Sequence, residues 1–163
     1  MSVNHYQPHV FVLPEDDANR QIVNGFILDL NLNSRAIQVL PPAGGWKKVV
    51  EKFTNDYAST MRQYPQRMII LLIDFDEDKD RLIYVKHQIP DDLKNRVFVL
   101  GVLSEPESLR RDINKSFEKI GEALAKDCSD NTNELWEHDL LTHNKTELVR
   151  LISSVKLFLF NLK

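Results

Sequence analysis

The stretch Met68-Ile-Ile-Leu-Leu-Ile73-Asp74-Phe75-Asp76 decides how this chain reads. Six consecutive apolar residues, rich in branched side chains, are what a central strand covered on both faces requires. Two aspartates at its end place charge where such a strand meets solvent. Working outward, Val10–Leu13, stopped by Pro14, is a second short apolar run, and Val97–Leu100 is a third of the same kind. Arg35–Leu40, closed by Pro41-Pro42, completes four candidate strands.

Between them lie helical stripes. Ala18, Ile22, Val23, Phe26, Ile27 and Leu30 predict an amphipathic helix capped by Asp16 or Asp17 and ended by Asn31–Ser34. Gly44-Gly45 opens a second helix with Trp46, Val49, Val50, Phe53, Tyr57 and Met61 on one face. Ser104 and Glu107 match a capping box before one helix carrying Leu109, Ile113, Phe117, Ile120 and Leu124. Asp127–Asn133 is polar, and Glu147–Phe160 reads as a last helix. Strand and helix alternate, so the expected fold is α/β: three layers, with a mainly parallel four-stranded sheet and helices on both faces, in a Rossmann-like topology. The expected organisation is a single domain over 1–163, with 128–163 as a C-terminal helical extension.

Composition narrows the function classes. The chain has 163 residues, 42% hydrophobic and 28% charged, with net charge −3. It is too apolar and too weakly charged for intrinsic disorder. One cysteine excludes an internal disulfide framework and a multi-thiolate zinc site, and it fits a reducing compartment. Met1-Ser2-Val3-Asn4-His5 lacks the basic and apolar segments of a signal peptide. No apolar run approaches the ~20 residues needed to cross a bilayer. These features predict a cytoplasmic protein with no membrane association. Walker A and G-x-G-x-x-G loops are absent, which argues against nucleotide binding of those kinds.

The acids carry the chemistry. Glu15, Asp16 and Asp17 follow the first strand, Asp74, Asp76, Glu77 and Asp78 the third, and Glu105 and Glu107 the fourth. Parallel sheets place ligands beyond the carboxyl ends of their strands, so the three groups are expected to converge there. Clustered carboxylates are relieved by protonation or by a divalent cation, and an all-oxygen donor set favours Mg²⁺ or Mn²⁺. In an extended segment Asp74 and Asp76 would face one side together while Phe75 points inward. Lys47, Lys48, Lys52, Lys79, Arg81, Arg110 and Arg111 border that edge and could meet phosphates.

On Glu15 in VFVLPEDDANR and Asp74 and Asp76 in MIILLIDFDED, the chain resembles the Toprim domain family, the metal-binding module of topoisomerases, primases and OLD-type nucleases. The order of elements matches over about residues 9–125. The family usually places glycine after its glutamate; here Asp16 follows. The resemblance implies Glu15, Asp74 and Asp76 as catalytic residues, with Glu15 as general acid/base or metal ligand and the aspartates on Mg²⁺. Glu105 corresponds to a further metal-binding acid. It also implies a metal-dependent nuclease acting on nucleic acid, DNA ahead of RNA, together with a protein partner or as a homo-oligomer.

Two other readings compete. A phospho-receiver-like signalling domain also places acids after strands one and three, but it needs a lysine after a late strand, where this chain has Ser104-Glu105-Pro106-Glu107. A non-catalytic partner-binding α/β domain would leave the acids merely solvated and use the broadly apolar last helix.

Overall fold

The computed structural model describes residues 3–161; Met1 and Ser2 of the N-terminal stretch, and the last two residues of the C-terminal extension, lie outside it. Four strands form one parallel sheet in the order β2-β1-β3-β4, with β1 at His9–Pro14, β2 at Ile37–Val39, β3 at Arg67–Leu72 and β4 at Val97–Leu100. This is the expected three-layer α/β architecture. Alternation along each strand sends neighbouring side chains to opposite faces, and both faces are covered.

Phe11, Leu13, Ile69, Leu71, Val97 and Val99 pack on one side against the helical run Trp46–Gln63 and against α4. That run comprises α2 (Trp46–Lys52), a π-helical turn (Phe53–Tyr57) and α3 (Ala58–Gln63); α4 spans Lys79–His87. Val10, Val12, Ile37, Ile70, Phe98 and Leu100 pack on the other side against α1 (Asp17–Phe26) and α7 (Lys145–Leu159). Leu151, Val155 and Leu159 of α7 are buried in that layer, so the C-terminal helix is part of the core and not an appendage. Behind α1 lies α6 (Phe117–Asp130), joined to it through Ile22, Ile120 and Leu124.

Several boundaries differ from expectation. The helix after Asp17 ends at Phe26, leaving Leu30 exposed in the following loop. Only Ile37–Val39 of the second strand pairs, because Asn33 caps a 3₁₀ turn over Ser34–Ala36 by accepting from the Arg35 N–H. The single helix expected after Ser104 is two. Asn114 takes a left-handed conformation (φ 53°) that stops α5 (Pro106–Ile113), and Ser116 accepts from the Lys119 N–H to start α6. The capping box does not form: Glu105 holds the N-cap position of α5 without a side-chain cap, and Ser104 Oγ is buried with no partner. No helix among the described residues is long and apolar enough to cross a membrane.

Candidate functional site

Strand order fixes where a site can form. From β1 the chain leaves through α1 toward β2. From β3, the other neighbour of β1, it leaves through α4 toward β4. The two connections diverge to opposite faces and open a crevice beyond the carboxyl ends of β1 and β3, the place where such sheets bind ligands. Pro14 pairs with Leu72, so Glu15 and Asp74 follow strand ends that lie side by side.

Their contact is direct. The Asp74 backbone N–H donates to Glu15 Oε2, and the Glu15 N–H donates to the Leu72 carbonyl. Asp74 is only 8% exposed, and its Oδ1 accepts from Asn19 Nδ2 at 2.8 Å. Asn19, fully buried on α1, also donates to Asp16 Oδ1 at 3.0 Å. Asp16 is the N-cap of α1, accepting from the Asn19 N–H, so the capping role expected of Asp16 or Asp17 falls to Asp16. Its backbone is extended (φ −145°, ψ −176°), a conformation that needs no glycine after Glu15. Asp17 is exposed and pairs with Arg20.

Burial dominates the electrostatics. It pushes the Asp74 carboxyl up to about 8, helped by the charges of Glu15, Asp16 and Glu107 and opposed by the Asn19 hydrogen bond. Burial likewise raises Glu15, against the pull of the Asp74 N–H. One oxygen of each carboxylate is thus held in place, and among the described residues no hydrogen bond reaches the other. Asn19 Oδ1 is also buried without a partner. Two carboxylate oxygens and an amide carbonyl are donors that suit a hard, oxygen-seeking ion, and Mg²⁺ typically takes one or two carboxylates and fills the rest of its shell with water.

Asp76 departs from the expected pairing. It and Glu77 have left-handed backbones (φ 48° and 60°), so the segment is not extended and Asp76 turns outward, its side chain 59% exposed. Arg81 of α4 holds it there, donating from Nη1 to Asp76 Oδ2 at 3.1 Å and to the Asp74 carbonyl at 2.6 Å. Phe75 is buried, as expected. Glu105 is exposed, and Glu107 rather than Glu105 is the α5 acid whose charge acts on Asp74. Among the described residues no three acids, histidines or cysteines are grouped tightly enough to form a ready ion cage.

The sequence reading passed over Asn19 and the bridging role of Arg81. Asn19 carried a signal, being a polar residue among the apolar positions of α1, three after a capping aspartate. Arg81 carried none beyond its charge.

The opposite wall of the crevice comes from the turn before α2. Gly44 and Gly45 have φ of 94° and 148°, a region closed to most side chains, and this lets both N–H groups reach the Glu15 carbonyl at 2.8 and 3.2 Å. The Trp46 ring then lies 4.5 Å from the Arg81 guanidinium carbon. No protein-family model, curated protein or solved structure matches this chain.

Proposed function

We propose that this chain is a Toprim-like domain that binds Mg²⁺ or Mn²⁺ and acts on phosphodiester bonds of nucleic acid, as a nuclease or nuclease subunit. The observation that carries the reading is the meeting of Glu15 and Asp74 at the strand-order switch, with Asp74 buried and no lysine or arginine among the described residues bonded to its carboxylate. Asp74 and Glu15 would supply the first ligands and Asn19 Oδ1 a third. Asp76 would join when Arg81 releases it, and Glu105 or Glu107 would serve an outer position. A bound ion would polarise a phosphoryl oxygen and acidify a water. Glu15, its carboxyl shifted upward by burial, has Oε1 free of the Asp74 N–H and so placed to exchange a proton with a water or substrate. Arg81 is placed to neutralise charge at the rim.

The receiver-like reading lacks support, since the described residues after β4 form helices and supply no fifth strand bearing a lysine. The test is calorimetric titration with Mn²⁺ of the wild type and Asp74→Asn, alongside cleavage of plasmid and oligonucleotide substrates. Loss of Mn²⁺ binding in the variant, with its fold retained, is expected. Equal affinity in the two proteins would overturn the assignment.

A further inference from the structure

Beside the acids lies an aromatic surface that the metal-site reading does not use. Trp46 and Tyr84 meet edge-to-face, with ring centroids 5.6 Å apart at 86°. Tyr84 is 50% exposed, and Trp46 is partly so. A single guanidinium separates this pair from the acids, because Arg81 lies 4.5 Å from the Trp46 ring and also binds Asp76 and the Asp74 carbonyl. Cations flank the pair. Lys47 Nζ is 5.6 Å from the Trp46 ring centre, and Lys48 folds along the Gly44 turn, its Nζ within 4 Å of the space a side chain there would fill. Lys47 and Lys48 are both exposed.

Tyr84 leaves its ring in water on the edge of Trp46, which packs inward against the core, and the open ring beside a charged crevice is placed to take an occupant. Aromatic rings interleaved with lysines match unpaired bases strung on a phosphate backbone. A duplex hides its base faces and could use only the lysines. An aliphatic chain would use the rings but leave Lys47 and Lys48 unmatched.

We infer that Trp46 and Tyr84 form a stacking platform for single-stranded DNA, which seats an unpaired base beside the Glu15–Asp74 crevice and its phosphate toward Lys47 and Lys48. Asp78 and Asp80, at the start of α4, repel phosphate and keep the strand on the lysine side. This inference rests on the nucleic-acid reading above and names its substrate as single-stranded.

The test is fluorescence anisotropy with labelled dT12, the matching duplex and rU12, at low salt in EDTA, so that neither an ion nor cleavage is needed. Single-stranded dT12 should bind at least ten-fold tighter than duplex. Tyr84→Ala and Trp46→Ala should each weaken it by roughly ten-fold, within the range that loss of one stacked base gives. Ile83→Ser, on the same helix and exposed, should leave it unchanged. In Trp136→Phe, dT12 should still quench the remaining Trp46 fluorescence. Tyr84 is exposed enough that its removal spares the core, so a folding failure of Trp46→Ala would leave the test intact. Equal affinity for duplex, or no effect of Tyr84→Ala, would overturn the platform. If the platform stands and Mn²⁺ produces no cleavage, the nuclease reading fails alone; if cleavage proceeds equally well in Tyr84→Ala, the platform fails alone.

Discussion

Replacing Asp74 with asparagine should stabilise the protein, and the gain should grow with pH. The unfolded carboxyl titrates near 3.8, whereas burial and three neighbouring acids move the folded one to about 8. Between these values the native state holds a proton that the unfolded state has lost, so native stability falls as pH rises through the window. The interval is about four units, or about 5 kcal/mol at full ionisation. That is comparable with the whole stability of many domains. Asparagine keeps a carbonyl oxygen to accept from Asn19 Nδ2 and never ionises. Urea unfolding of both proteins without divalent ions, at pH 5, 6, 7 and 8, should show the variant's advantage growing by about 3–4 kcal/mol across the series. Curves that stay parallel to within about 1 kcal/mol would refute the burial argument. Added Mn²⁺ should narrow the gap by stabilising the wild type alone.

Two further outcomes test the scaffold. A Cβ on Gly121 would lie 1.8 Å from the Ile22 carbonyl oxygen and 2.7 Å from the Phe26 nitrogen, both rigid backbone, so Gly121→Ala must push α6 off α1. The expected loss is about 3 kcal/mol, a Tm lower by roughly 6–12 °C, and a fall under 2 °C would contradict it. At the amino end of the sheet, His9 Nε2 accepts from buried Arg67 Nε at 3.0 Å while its Nδ1 faces the Gln7 carbonyl, which requires a neutral ring. Burial, then the charges of Arg67 and His5, hold His9 below its ordinary 6.5, so its contribution is present above that value and is lost as pH falls toward the folded pKa. His9→Gln, which still offers an acceptor and does not titrate, should lose less stability than the wild type between pH 6.5 and 5, measured by thermal unfolding; equal losses would show that His9 is not the titrating group.

The layers were legible because burial writes itself into sequence. Val10–Leu13, Met68–Ile73 and Val97–Leu100 are continuously apolar because each strand is covered twice, and the acids after them mark the sheet's carboxyl edge. What escaped was local and polar. The α5–α6 break rests on one left-handed asparagine within a stripe whose period continues across it. α4 buries only Val85, so Lys79–His87 carries no helical stripe to read. Asp76 leaves the extended path through its own φ, and D-x-D spacing alone does not encode that.

The arrangement of charge then says something that neither spacing nor fold says alone. Arg81 lies beside the acids, yet it binds the Asp74 carbonyl and the Asp76 carboxylate and not the Asp74 carboxylate itself. Asn19, the one side chain among the described residues that does reach it, brings a neutral amide where a lysine or arginine would have cancelled the charge. A core selected only for stability would place an apolar residue or a paired cation at that position, since burying an unpaired carboxylate is costly. Retaining Asp74 there, raised to about 8 beside Glu15, Asp16 and Glu107, keeps a carboxyl that holds its proton near neutral pH until a cation displaces it. Groups perturbed in this way collect at functional sites, where a ligand of positive charge makes the ionised form favourable. Asn19→Ala, which deletes the amide and brings no charge, should then weaken Mn²⁺ binding in a calorimetric titration, and unchanged affinity would contradict the arrangement.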